Sequence, residues 1–219
     1  MLILVGCEES QTIVRALRAK GHEVYSCDLK PTRGNPEWHI QGDIMKVIPT
    51  RYWDLIILHP DCTALSLSGN RWYGKGKPYH QKRLEAIDWT IKLWQTARDY
   101  SDKVALENPT SVIFRYLSGA RVQYIQPWQF GHGEVKKTGF ALWRLPLLKP
   151  TNVVEGREQY VWKMGADPLR KRDRSITFTG VAEAIAEQWA SGGKADARDL
   201  KSLDPGRAGS NPASPTKGL

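Results

Sequence analysis

Residues 53–69, WDLIILHPDCTALSLSG, pass from an apolar run to a small polar one through His59, Pro60 and Asp61. Leu55, Ile56, Ile57 and Leu58 have the composition of a strand buried on both faces, and the run stops at Pro60, which has no N–H for a sheet ladder. Cys62 therefore sits in a loop just past the carboxyl end of a strand. In an open parallel sheet, ligands bind and reactive groups are displayed along that edge.

The alternation continues outward in both directions. LILVG (2–6) reads as a buried strand, SQTIVRALRAKG (10–21) as an amphipathic helix closed by Gly21, and HEVYSCDL as a second strand ending at Asp28. Residues 29–41 read as loop and lead to Gly42-Asp43-Ile44. The polar, Gly-rich 68–81 reads as a second loop before a long helix over RLEAIDWTIKLWQTARDY (83–100). KVALE (103–107) is a strand stopped by Pro109, VQYIQP and GFALWRL are two more, and TGVAEAIAEQWA (179–190) is the last helix. Strands separated by helices of this length imply an α/β fold, Rossmann-like, with a mostly parallel central sheet.

A chain of 219 residues with 41% hydrophobic residues can bury one substantial core. One domain is expected over 1–190. The stretch 191–219 has almost no large apolar residues and reads as a disordered tail, unable to offset the entropy of ordering. Apolar runs are too short to cross a bilayer, and MLILVGCEES turns acidic too soon for a signal peptide, so no membrane partner is expected. The three cysteines, Cys7, Cys27 and Cys62, leave no even pairing and fit a reducing compartment. A net charge of +9 favours a polyanionic partner, most simply nucleic acid.

A free cysteine is commonly a small buried hydrophobe, and Cys7 and Cys27, at strand ends among apolar neighbours, read that way. Cys62 differs because Pro60 and Asp61 lift it off the sheet. A nucleophile needs such exposure together with a lowered thiolate pKa. Glu107 and Asn108 close another strand, where an acid either caps the next helix or does chemistry. Two strand ends carrying Cys62 and Glu107 would meet on the same sheet edge. A thiolate and a carboxylic acid together suit attack at C6 of a pyrimidine with protonation at N3.

Gly6, Asp28, Gly42-Asp43-Ile44, Pro60-Asp61-Cys62 with the following Ser-Leu-Ser-Gly, and Glu107-Asn108-Pro109 occur in the order and approximate spacing of the cytosine-5 DNA methyltransferases. Over roughly residues 2–190 the chain resembles that family, and within it the compact phage-type members. The resemblance implies an S-adenosylmethionine-dependent methyltransferase fold, with Gly6, Cys7, Glu8, Asp28, Asp43 and Pro60 holding the cofactor. Thr179 and Gly180 would lie near its methionine end, although a helix packing on the first strand explains them equally well. Cys62 would be the nucleophile, and Glu107 with Asn108 the acid motif. Lys136 or Lys137 would be the cation nearest the base, a solvated turn being the plainer reading of both.

Three departures stand out. The family's glycine-rich cofactor loop is here GCEES, with one glycine and two acids. Its Pro-Pro-Cys is Pro-Asp-Cys, and a carboxylate beside the thiol raises the thiol's pKa unless it points away or is neutralised. Finally, only a reduced segment, about 145–175, stands where the family carries a recognition domain. Its Arg170, Lys171, Arg172 and Arg174 suit phosphate contacts. Arg71, Trp72 and Lys75, after Cys62, suit DNA binding by charge and by stacking.

The expected activity is DNA cytosine-5 methylation through a Cys62 adduct on a flipped base, by a monomer in the cytoplasm of a bacterial host cell. His22, His39, His59, His80 and His132 show no ligand spacing, so no metal is expected. An amino-directed DNA methyltransferase is one rival, disfavoured by Cys62 standing where its loop would carry an aromatic. A catalytically inactive cofactor- or DNA-binding protein is the other.

Overall fold

The computed structural model describes residues 1–159 and 176–190. β1 (Leu2–Gly6) pairs in parallel with β2 (Glu23–Asp28) on one side and with β4 (Leu55–Leu58) on the other. β3 (His39–Gln41) extends the sheet beyond β2, and β5 (Val104–Pro109) extends it beyond β4, both in parallel. β7 (Thr138–Trp143) runs antiparallel to β5, and β6 (Arg121–Ile125) antiparallel to β7 at the far edge. The seven-stranded order is β3-β2-β1-β4-β5-β7-β6. The chain leaves β1 toward β2 and β3, then returns to the other side of β1 with β4. The strand order therefore reverses between β1 and β4, and a crevice opens there at the carboxyl ends.

Alternation along the central strands sorts side chains onto two cores. Ile3 and Val5 pack with Leu55 and Ile57 under α1 (Thr12–Ala19) and the last helix, here α5 (Thr179–Gln188). Leu4, Ile56 and Leu58 face the other way, against Ile44 of α2 (Ile44–Val47) and Leu93 and Trp94 of α4 (His80–Asp99). Ile3, Leu4, Leu55, Ile56, Ile57 and Leu58 are all fully buried, as strands covered by helices on both faces must be.

Three local readings change. Residues 29–41 are not all loop, for a turn of 3-10 helix over Pro36–Trp38 leads into β3. With three residues and one apolar side chain, β3 has no alternation to read. Ser26 Oγ meets His39 Nδ1 at 2.9 Å beside it, and the Gly42 N–H donates to the Asp28 carbonyl. The 68–81 loop likewise contains α3 (Asn70–Tyr73). β5 continues through Pro109, because β4 pairs with it only as far as Leu106 and leaves no ladder on that side for proline to break.

In the expected recognition segment, the described part runs back along preceding chain. Gln123 holds both the N–H and the carbonyl of Leu148, and the Val135 N–H donates to the Glu158 carbonyl. Arg170, Lys171, Arg172 and Arg174, and the expected tail 191–219, lie outside the described residues. Among those described, no helix is long and apolar enough to cross a membrane.

Candidate active site

A cleft of about 370 Å³ opens at the reversal point, within the range of small-molecule and cofactor sites. Its floor is the turn after β1, where one glycine does the work of several because two other residues adopt left-handed backbone. Cys7 has φ 58° and Gln11 φ 59°, a conformation that costs an L-residue roughly 1–2 kcal/mol each. Gly6 is needed for a different reason. A Cβ there would stand 2.7 Å from Ile44 Cδ1, so the glycine lets α2 close on the sheet.

The turn is held by polar contacts. Glu8 is 8% exposed, and its Oε1 accepts the Ser10 hydroxyl and, at 3.2 Å, the Thr12 N–H at the start of α1. Its Oε2 is buried with no hydrogen-bond partner among the described residues. Gln11, fully buried, accepts the Asn35 N–H at 2.8 Å and donates to the Asn35 carbonyl and to Ser26 Oγ. It thereby fastens the loop after β2 over the loop after β1. Asp28 accepts the Lys30 N–H, Asp43 caps α2 through the Met45 N–H, and both line the cleft.

The cleft is acidic although the chain is basic. Glu8, Glu9, Asp28, Asp43 and Asp61 line it, against Lys30 as the one lysine or arginine among the described lining residues. The field registers on neighbouring thiols. Burial first, and then Asp28, Cys27, Asp43 and Asp61, push the Cys7 thiol well above its ordinary value. Burial, Asp28 and Asp43 push Cys27 up to about 12. Exposed Leu29, together with Trp89 from α4, adds apolar wall. Room, apolar surface, carboxylates and an orphaned Glu8 oxygen fit S-adenosylmethionine, whose sulfonium and ammonium outweigh its one carboxylate.

Beyond β4 the chain turns at Asp61, whose Oδ1 accepts both the N–H and the hydroxyl of Thr63. The Cys62 carbonyl accepts the Leu65 and Ser66 N–H groups, and Cys62 itself is half-buried. This loop is zipped to the segment after β5. The Leu67 N–H donates to the Thr110 carbonyl, while the Leu65 carbonyl takes the Val112 N–H and the Ser111 hydroxyl. Closer to the sheet, fully buried Asn108 donates from Nδ2 to the Pro60 carbonyl at 3.1 Å. From α4, buried Arg83 reaches the Ala64 carbonyl at 2.7 Å, Asn70 Oδ1 at 2.6 Å and the Ser66 carbonyl at 3.1 Å. Burial lowers the guanidinium pKa from its ordinary value, and three neutral acceptors hold the charge there.

Glu107 borders a second cavity of about 20 Å³, room for one water, with Lys136, Thr138, Phe140 and Phe178. Lys136 Nζ donates to the Ile176 carbonyl at 3.1 Å, whereas Lys137 lies over the Tyr124 ring, which separates the two lysines' roles. Glu107 Oε2 stands 3.5 Å from His59 Nδ1, and His59 also lines the acidic cleft, so this pair forms the wall between the two cavities.

The structure thus brings Cys7, Glu8, Asp28 and Asp43 to one cleft, while Gly6 lies against Ile44 and Leu58 and Pro60 is buried. Thr179 and Gly180 are not among its lining residues. Both bond to His132 Nε2, at 3.2 and 3.1 Å, and a Cβ on Gly180 would collide with the Phe130 carbonyl, so helix packing accounts for them here. Arg71 stacks on Trp72 with 4.9 Å to the ring, in a surface group with Tyr73 and Tyr79, and Trp72 is 47% exposed. Sequence reading missed His59, Arg83, Ser111 and Gln11. His59 alone had a signal, standing beside the Pro-Asp-Cys loop.

No protein-family description and no curated protein sequence matches the chain. Among solved structures it is similar to a prophage-encoded E. coli protein described as a DNA modification methyltransferase, at 10% identity and TM-score 0.45, over 71% of this chain and 52% of that one. It is similar to the Entamoeba histolytica methyltransferase EhMeth at 10% identity and TM-score 0.47, over 72% and 57%. For the S. pombe Dnmt2 methyltransferase the values are 13%, 0.41, 74% and 53%. The chain spans little more than half the length of each.

Proposed function

We propose that the chain is an S-adenosylmethionine-dependent DNA cytosine-5 methyltransferase. The observation that carries this reading is the Asn108–Pro60 tie, continued by the zipper from Leu65 to Val112. It fixes the Cys62 loop to the strand end bearing Glu107, beside a cleft suited to a cationic cofactor.

In this reading the Cys62 thiolate bonds to C6 of a cytosine turned out of the duplex, and Glu107 gives its proton to N3, leaving C5 electron-rich. Glu8, Asp28 and Asp43 would hold S-adenosylmethionine, which would supply an electrophilic methyl group to C5 and leave as its neutral thioether. Loss of the C5 proton to a base, departure of the Cys62 thiolate and return of the N3 proton to Glu107 then restore the aromatic ring and the starting acid. Entry of the base requires the small cavity beside Glu107 to open, and Lys136 would then face the base. Unstacking costs a few kcal/mol, which Trp72 can offset by stacking while Arg71 and Lys75 hold phosphates. Arg170, Lys171 and Arg172 belong to the same proposed contact, and the chain would act as a monomer on DNA in a bacterial cytoplasm.

Mass spectrometry of nucleosides from host DNA after expression tests this reading. 5-Methylcytosine is the expected product. N4-methylcytosine or N6-methyladenine would transfer the site to amino-directed chemistry, and no modified base with cofactor binding intact would indicate an inactive binding protein.

A further inference from the structure

The far edge of the sheet carries an aromatic surface that no step of the proposed reaction uses. Tyr124, on edge strand β6, is 41% exposed, and its ring meets Phe114 edge-on with 5.9 Å between centroids. Both rings rest on Gly139 of β7. A Cβ there would stand 2.6 Å from Phe114 Cε2 and 2.9 Å from Tyr124 Cε1, so the missing side chain lets the rings lie against the backbone. Gly139 is in register with Tyr124 on one side and with Asn108 on the other, which sets the patch two strands, about 10 Å, from the end of β5. Exposed Val122 shares the Tyr124 face of β6 by strand alternation. Charge is the second, independent observation. The sequence has no acidic residue between Glu107 and Glu134, and Glu134 is buried. Exposed Arg115 follows Phe114, and Lys137 holds its ammonium 4.4 Å from the centre of the Tyr124 ring. Neither cation pairs with a carboxylate among the described residues.

We infer that this patch binds single-stranded nucleic acid, with a base stacked on Tyr124 and phosphates on Lys137 and Arg115. The inference goes beyond the methyltransferase reading and does not depend on it. A buttressed, exposed ring loses little freedom on binding, and cations beside it complement the phosphates that flank a stacked base. Only an unpaired strand can offer the face of a base to such a ring, because in a duplex those faces are stacked on one another. Lys137 does not block the ring. A cation over an exposed aromatic is worth about two- to fivefold in affinity, whereas a stacked base is worth about fivefold or more, so the base takes the ring and the ammonium moves to a phosphate. Neither contact reads the sugar, so deoxyribose and ribose strands fit alike.

Fluorescence anisotropy of the full chain with a labelled mixed-sequence DNA strand, the same strand in duplex and its RNA counterpart tests this without turnover. Tyr124→Leu keeps an apolar cover over Gly139, and should weaken binding of the single strand about fivefold or more at unchanged salt dependence, with duplex binding changed less than about twofold. Tyr124→Phe keeps the ring and should bind as the parent does. Lys137→Ala should lower the slope of log affinity against log salt by about 0.7, the mark of one phosphate contact on a single strand. A second measurement needs no substitution: photocross-linking of the parent to a strand carrying 5-iodouracil should attach the base to the peptide that contains Tyr124. Absence of single-strand binding by the parent, or a Tyr124→Leu variant that binds as the parent does, would overturn the site. Equal weakening of single strand and duplex by Tyr124→Leu would overturn the single-strand assignment, and a tenfold preference between DNA and RNA strands would overturn the stacking-and-phosphate account. A cross-link confined to the peptide that contains Trp72 would also overturn the site. Each of these failures leaves the methyltransferase reading standing, since none bears on Cys62 or Glu107.

Discussion

Asn108 Nδ2 donates to the Pro60 carbonyl at 3.1 Å, in a position with no solvent exposure. One residue before Asn108 is Glu107, and two after Pro60 is Cys62, so this buried bond helps to set the two groups proposed to react relative to each other. Asn108→Ala leaves that carbonyl unpaired and should cost about 1–3 kcal/mol of stability. Asn108→Asp, which sets a carboxylate against the carbonyl oxygen, should cost more. Denaturant unfolding gives both values, and titration should show S-adenosylmethionine binding little changed. Unchanged stability in both variants would remove Asn108 as the tie.

Asp61 is the second such position. Its carboxylate organises the turn at Thr63, so Asp61→Pro, which would copy the usual family loop, also removes the cap and should slow adduct formation. Asp61→Asn keeps an acceptor for Thr63 and removes a charge beside Cys62. Its rate of adduct formation near neutral pH should rise a few-fold, as a larger thiolate fraction requires. A slower Asp61→Asn would mean the charge itself is used.

With DNA over the surface group around Trp72, as proposed, two kinds of contact are separable. Trp72→Ala should weaken binding by about 1–3 kcal/mol with the salt dependence unchanged, the mark of a lost stacking contact. Lys75→Ala should weaken it and lower the slope of log affinity against log salt by about one, the mark of a lost phosphate contact. Affinities measured across a salt series would separate these outcomes, and no effect from either variant would place DNA elsewhere.

Thiol reactivity follows from the acidic cleft. A raised pKa keeps a thiol protonated, hence unreactive, until pH approaches that value. Cys27, at about 12, and Cys7, pushed up by burial and carboxylates, should resist iodoacetamide at pH 8, where Cys62 is labelled first. Peptide mapping after brief alkylation reads this directly. Fast labelling of Cys7 would contradict the electrostatics described for the cleft.

The parallel core of the sheet was legible because β1, β4 and β5 carry apolar runs punctuated by Gly6, His59-Pro60 and Asn108-Pro109, and because the mixed strand β2 closes at Asp28. β3 was not, for its three residues take their place from Ser26 and Trp38 rather than from a pattern of their own. At the candidate site, the placement of the Cys62 loop and Glu107 beyond neighbouring strands β4 and β5 was readable from position. Arg83 was not, because a buried arginine facing carbonyls 13 to 19 residues away leaves no mark in helical periodicity. Glu8 was noticed as a departure from a glycine-rich loop. Its buried oxygen, with no hydrogen-bond partner among the described residues, left no mark in the sequence.

Covalent trapping on DNA containing 5-fluorocytosine tests the Cys62–Glu107 pair most directly. Fluorine cannot leave C5 as a proton does, so with S-adenosylmethionine present the adduct should persist through denaturation and run as a protein–DNA conjugate. Cys62→Ser should abolish the conjugate while DNA binding survives, and Glu107→Gln should slow its formation by roughly 10² to 10⁴, as loss of a general acid does. A conjugate that forms undiminished in Cys62→Ser would place the nucleophile elsewhere, and methylation unaffected by either substitution would contradict the mechanism outright.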